Sequence, residues 1–170
     1  NSSLNIFEVF TMIRLTLGNK FNVDVVPLFE SVLDLENASN IMENVYSNKL
    51  YRDHIIRRDD TQTIMLGFSD GTKDGGYLTA NWSILKAKES LTKVSRKFGI
   101  KVLFFDGRGG PPARGGGNTH QFYSSLGDFI ESDEIQLTVQ GQTISSNFGT
   151  IKSSQYNMEQ LITSGLKNRI

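Results

Sequence analysis

Cysteine is absent from all 170 residues, which excludes disulfides, thiolate metal sites and cysteine nucleophiles. Histidine is almost as scarce, and two residues, His54 and His120, do not supply a multi-histidine zinc site. Net charge is missing too. Lysine plus arginine is 18 and aspartate plus glutamate is 18, which argues against a chain held wholesale on nucleic acid or anionic lipid. No apolar run approaches the roughly 18 residues of a membrane span. The start, Asn1-Ser2-Ser3-Leu4, lacks the basic-then-apolar pattern of a secretion signal. It also lacks an initiator methionine, so Asn1 is not expected to be a natural translation start.

What is present points to a folded core. Apolar residues make up 38% of the chain and eleven of them are Phe, a composition unlike that of disordered segments. The length suits one domain or a piece of a larger one. The zero net charge hides a polarity along the chain: residues 1–48 carry six acids and two bases, and residues 86–114 carry eight bases and two acids. Solvated helix faces explain most of these charges. The pairing still offers an acidic stretch for a cation and a basic stretch for an anion.

Residues 4–17 have the apolar spacing of a helix buried over much of its surface and ending near Gly18. The run Val23 to Glu30 reads as a buried strand ending at Glu30. Residues 31–47 read as a helix capped by Ser31, and 49–60 as a polar, irregular connector. A second strand is expected at Thr63 to Phe68, interrupted by Ser69 to Gly76. A long helix over 77–97 should turn Leu78, Trp82, Leu85, Leu91, Val94 and Phe98 inward and stop at Gly99. Lys101 to Phe105 is a third strand, Ile135 to Val139 a fourth, and 155–167 a final helix. Largely apolar strands alternating with helices predict a parallel α/β architecture covered on both faces. In such folds chemistry gathers at the carboxyl ends of the strands. Glu30, Asp70 with Lys73, and Arg108 with Arg114 all fall there.

The segment 107–117, Gly-Arg-Gly-Gly-Pro-Pro-Ala-Arg-Gly-Gly-Gly, holds six of the sixteen glycines. Glycine lets backbone N–H groups approach an anion, and arginine adds a planar fork suited to phosphate or carboxylate. No Gly-Lys-Ser/Thr follows and no GxGxxG opens a helix, so neither nucleotide-loop pattern applies. A flexible linker touching RNA is the competing reading, disfavoured by the loop's place straight after a buried strand. Asp70 suits a hard-cation ligand, with Lys73 a point charge for an oxyanion, but an Asp at a helix start is also an ordinary cap. Glu30 alone has many structural explanations. His54 lies in the expected connector, and His120 is expected to be structural or on the surface.

Taken together, Pro27-Leu28-Phe29-Glu30, Met65 to Asp74, Phe105 to Gly110, Ala113 to Gly117 and Val139-Gln140-Gly141 closely resemble the phosphoenolpyruvate carboxylase family. The resemblance runs over nearly the whole chain, and the glycine-arginine loop is its most specific part. It implies a fragment of a (β/α)8 TIM-type barrel, about four strands with their helices, in a cytoplasmic enzyme. That enzyme joins bicarbonate to phosphoenolpyruvate to give oxaloacetate and phosphate. It implies Mg²⁺ or Mn²⁺ on Glu30 and Asp70, an active-site role for Lys73, and substrate binding by Arg108 and Arg114 with Gly109 and Gly110. Its expected partners are the two substrates and the rest of a carboxylase chain, assembled as a homo-tetramer, with no nucleic acid and no membrane. The family's catalytic histidine and further substrate arginines would lie outside this chain. Two departures stand out. Asp106 occupies the place of a family histidine, and Gly71-Thr72 replaces Ser-Gly or Ser-Ala. A bare anion-binding α/β module, or an inactive remnant, is the alternative.

Overall fold

A computed structural model describes residues 2–111 and 115–167. Its elements run α1 (Ser3–Leu17), β1 (Leu28–Phe29), α2 (Val32–Ser47), α3 (Lys49–Ile56), β2 (Thr61–Gly67) and α4 (Ser69–Lys97). They continue with β3 (Lys101–Gly107), α5 (Thr119–Ser124), β4 (Gln136–Leu137), α6 (Gln142–Phe148) and α7 (Ile151–Lys167). The strands form one parallel sheet in the order β1-β2-β3-β4. Each strand therefore lies beside its sequence neighbour, with helix in every connection. That order differs from a doubly wound sheet, whose order reverses partway, and is consistent with part of a barrel.

The centre of the sheet is its best-formed part. β2 and β3 pair over seven residues, from Thr61 opposite Lys101 to Gly67 opposite Gly107. β1 adds two pairs and β4 two more. Gln62, Ile64 and Leu66 of β2 are buried, as are Val102, Phe104 and Asp106 of β3. Leu35, Ala38, Met42 and Val45 of α2 and Ala80, Ile84, Ala87 and Leu91 of α4 complete that core. Thr61, Thr63 and Met65, on the alternate positions of β2, are only half-buried. The expected cover on both faces is thus uneven, although Leu103, opposite Thr63, is buried.

Several expectations are corrected. The strand drawn over 23–30 shrinks to Leu28–Phe29, since Pro27 has no N–H to donate and the segment sits at a sheet edge. α1 buries only Ile6 and Phe10, and leaves Leu4, Met12 and Leu15 exposed. The helix expected from 77 begins instead at Ser69 and is kinked at Gly76 (φ 79°). Beyond the kink Leu91 and Val94 are buried as expected, whereas Leu78 and Trp82 are exposed and Ala80, Ile84 and Ala87 are buried in their place. The fourth strand covers only Gln136–Leu137, the last helix starts at Ile151, and α5 and α6 were not foreseen. No helix among the described residues is long and apolar enough to cross a membrane.

The expected connector over 49–60 is the helix α3. Asn48 caps it by accepting from the N–H groups of Leu50 and Tyr51, and Tyr51, His54 and Ile55 share its buried face. His54 is 3% exposed. Its ring centroid lies 4.5 Å from that of Phe21 and 5.5 Å from that of Phe10. Burial is the main reason its pKa falls below 6.5, and the charges of Arg57 and Arg58 push the same way against Asp24 and the Val23 backbone. Its Nδ1 has no hydrogen-bond partner among the described residues. The unfolded chain therefore binds a proton that the folded chain refuses. The stability His54 contributes is present above pH 6.5 and declines as pH falls toward its lowered folded value. Thermal melts from pH 7.5 downward should show that loss in the wild type. His54→Leu should remove this component of the pH dependence.

Candidate functional site

Glu30 follows β1 directly, and Asp70 lies in the first turn of α4. Two glycines bring them together. A Cβ at Gly67 would stand 2.5 Å from Glu30 Cγ and 2.8 Å from Oε1, and one at Gly71 would stand 3.0 Å from the Glu30 carbonyl oxygen. Only hydrogen fits at Gly67, so the Glu30 side chain lies directly across the end of β2. Its carboxyl pKa is raised first by burial, then by the hydrogen bond to the Asp70 side chain and the Asp70 charge, with Asp34 adding and Lys73 opposing. Lys73 Nζ donates to Asp70 Oδ1 at 2.7 Å, both side chains being half or more exposed. Asp74 Oδ2 accepts from the Val32 N–H at 3.1 Å and ties the start of α4 to the start of α2.

The Asp70 side chain hydrogen-bonds Glu30 and its charge raises the proton affinity of Glu30, and a carboxyl pair of this kind fits a divalent cation, which would take the place of a proton. Among the described residues no group of three or more His, Cys, Asp or Glu side chains could hold a metal. The pair therefore suits a hard ion that keeps water or takes substrate oxygens for its other ligands, as Mg²⁺ does. Lys73 stands in the same cluster and would have to share or yield its Asp70 oxygen.

Arg108 leaves the end of β3 and folds back instead of extending into solvent. It is 5% exposed. Its Nε donates to the Gly115 carbonyl, its guanidinium carbon lies 4.5 Å from the centroid of the Phe122 ring, and its Nη1 has no partner among the described residues. Arg108, Gly109, Gly110 and Gly116 line one side of a cavity of about 530 Å³, and Leu137 and Asn157 stand among its other walls. Gly115, at φ +83°, packs so tightly on Phe68 that a Cβ would meet that ring at 2.5 Å. Arg114 lies outside the described residues.

Asp106 faces the helix layer and not the cavity. Lys88 Nζ of α4 lies 2.8 Å from each of its carboxylate oxygens and is aligned for a hydrogen bond only to Oδ2. The Tyr123 hydroxyl donates to the same Oδ2 at 2.8 Å. Burial, ahead of the Asp106 charge, pushes the Tyr123 pKa upward. Sequence reasoning missed Lys88, Phe122 and Tyr123. A signal existed for Lys88, which falls four residues after Ile84 and three before Leu91, on a buried helical stripe.

The structure thus gathers Glu30, Asp70 and Lys73 at one pair of strand ends, and Arg108, Gly109 and Gly110 at the next. In register, Phe29 stands opposite Leu66, and Gly67 opposite Gly107. The two groups are therefore about two strand spacings, roughly 10 Å, apart. His120 is half-buried on α5.

Comparison with known proteins gives a family. The model for phosphoenolpyruvate carboxylase matches residues 3–170. A relative named phosphoenolpyruvate carboxylase, from Azoarcus sp. (strain BH72), is 38% identical over 154 residues. That match covers 91% of this chain and 17% of the relative, so the chain spans about a sixth of the length of that protein.

The loop geometry carries a direct test. Gly115→Ala places a side chain in the left-handed region, costing about 1–2 kcal/mol from the backbone alone, and drives it into Phe68. Its melting temperature should fall by several degrees. Gly127→Ala, where a Cβ meets nothing within 4 Å, should change stability by no more than about 0.5 kcal/mol.

Proposed function

Because the chain belongs to the phosphoenolpyruvate carboxylase family, we propose that it carries the cation-holding and anion-holding strand ends of a carboxylase active site. That site adds bicarbonate to phosphoenolpyruvate and forms oxaloacetate and phosphate. The observation that carries this reading is the opposed pair of sites on neighbouring strand ends. A carboxylate pair lies across Gly67, and a buried arginine whose Nη1 has no partner among the described residues lines a cavity beyond Gly107.

The reaction needs both signs of charge. Phosphoenolpyruvate and bicarbonate are anions, and the phosphoryl transfer between them leaves an enolate that must capture carbon dioxide before water protonates it. Glu30 and Asp70 would hold Mg²⁺ or Mn²⁺, which when bound supplies positive charge to phosphoryl and enolate oxygens. Lys73, already on Asp70, offers a mobile point charge at the same edge. Arg108 binds an anionic group from the cavity side. Its guanidinium is fixed by Gly115 and Phe122 before the ligand arrives, so little ordering remains to be done. Gly109 and Gly110 present backbone without side chains to that cavity, and Arg114 is proposed as the second cation of the loop.

Four sequential parallel strands form half of a (β/α)8 barrel. In this proposal the remaining strands, and the residues that complete the anion clamp, come from the rest of a carboxylase polypeptide, which assembles as a homo-tetramer in the cytoplasm. The 170-residue chain alone should give no bicarbonate-dependent oxaloacetate in a coupled assay, and turnover by it would overturn that statement. In the complete polypeptide, Asp70→Asn and Glu30→Gln should each weaken activation by Mn²⁺ about 100-fold, with melting temperature little changed. Unaltered cation dependence in both variants would remove the metal assignment and favour a bare anion-binding module.

A further inference from the structure

Three buried charges meet beneath the glycine loop, and they do not balance. Lys88 is 1% exposed, Asp106 1% and Arg108 5%. Asp106 is the one carboxylate among the buried described residues, so two cations stand near a single counter-charge. Both lie against the same ring: Lys88 Nζ is 5.4 Å and the Arg108 guanidinium carbon 4.5 Å from the Phe122 centroid. Asp106 and Arg108 also act on one hydroxyl. Tyr123 donates to Asp106 Oδ2 at 2.8 Å and is within hydrogen-bonding influence of Arg108. The chain has nevertheless settled the competition in one direction. Lys88 Nζ donates to Asp106 Oδ2 and lies 2.8 Å from each of its oxygens, while Arg108 Nη1 has no partner among the described residues.

We propose that Lys88 is a positioning residue that engages Asp106 and so keeps the Arg108 guanidinium free to receive an anionic group of the substrate, a phosphoryl or a carboxylate. This rests on the reading of Arg108 given above. The physical argument concerns what a buried carboxylate does when its partner is removed. An unpaired buried charge is costly, so the group recruits whatever cation is in reach. Without Lys88 that cation is Arg108, which Phe122 and Tyr123 already hold in the same cluster. An arginine neutralised by Asp106 attracts an incoming anion far less, because in a water-poor site the two anions compete for one charge. With Lys88 in place the cluster keeps one net positive charge, and the substrate supplies the balance.

An ion pair that merely packs α4 on the sheet makes a different prediction. Lys88→Met and Asp106→Asn each leave a buried charge unpaired, so both variants lose stability on either account. Only the proposal gives them different effects on anion affinity. The experiment uses the complete carboxylase polypeptide carrying these residues. It measures KM for phosphoenolpyruvate, competitive inhibition by inorganic phosphate, kcat and melting temperature on the same samples. Lys88→Met should raise KM and the phosphate inhibition constant about tenfold or more. Asp106→Asn should raise neither. Adding Asp106→Asn to Lys88→Met should return both constants toward the wild type, since no carboxylate is left to capture Arg108.

Arg108→Gln separates the two levels of the argument. If it leaves both constants unchanged, the anion-binding role of Arg108 fails. If it raises them while Lys88→Met and Asp106→Asn shift them together, or not at all, the role of Lys88 fails and that of Arg108 stands. Should Lys88→Met not fold, Lys88→Gln takes its place. Raised constants that Asp106→Asn returns toward the wild type support the proposal, and unraised constants in Lys88→Gln overturn it.

Discussion

An ammonium and a carboxylate, both almost wholly removed from water, join α4 to the end of β3 through Lys88 and Asp106. Such a pair contributes little net stability, because desolvation offsets most of its attraction, yet losing one partner is expensive. It therefore acts as a constraint. Only one rotation of α4 about its axis delivers Lys88 to Asp106, and that rotation also buries Ile84, Ala87 and Leu91. The backbone of Asp106 is held as well. Its carbonyl accepts from the N–H groups of Arg108 at 2.8 Å and of Thr138 at 3.1 Å. The side chain fixes the helix layer, the carbonyl fixes the turn into the glycine loop, and Arg108 emerges between them with few conformations left.

The carboxylate end is built on the opposite principle. Glu30 and Asp70 stay partly in water, and Lys73, the cation on Asp70, is itself exposed. What brings them together is the missing side chain at Gly67. Their mutual repulsion is left in place, relieved in part by Lys73. For the cation proposed above such an arrangement is favourable, because the ligand-free pair is kept strained without unfolding anything. The arginine end keeps an unbalanced charge dry, and the carboxylate end keeps an unbalanced pair wet. Both leave binding energy to be released by ligand.

The sequence was legible where short-range rules govern. Ser31 capping α2, Gly18 ending α1 and Gly99 ending α4 followed from chemistry within a few residues. Sequential parallel strands followed from apolar runs alternating with helices. Glu30, Asp70 and Arg108 were legible as strand-end residues because charge directly after an apolar strand is conspicuous. What depended on three-dimensional partners was lost. The α3 pattern at Tyr51, His54 and Ile55 was hidden by the charged residues between them, and part of the inward face of α4 by small residues, Ala80 and Ala87, that carry little apolar signal. Lys88 was counted with the basic stretch of the chain. Asp106 looked like one departure within a loop motif, since its partner lies 18 residues upstream.

The placement of both ends on β2 and β3 follows from the sheet itself. These strands share seven register pairs, whereas the flanking strands contribute two each. A two-residue edge strand with one neighbour frays readily, and a group that must be held to a fraction of an ångström gains nothing from being carried on it alone. Glu30 does lie on such an edge, and its side chain is laid across Gly67, so that β2 positions it instead of β1. Arg108 directly follows β3, and Thr138 and Gln140, just past β4, donate to its carbonyl. Gly67 and Gly107 stand opposite one another in the register. The two charged sites are therefore both referred to one stiff pair of strands, β2 and β3.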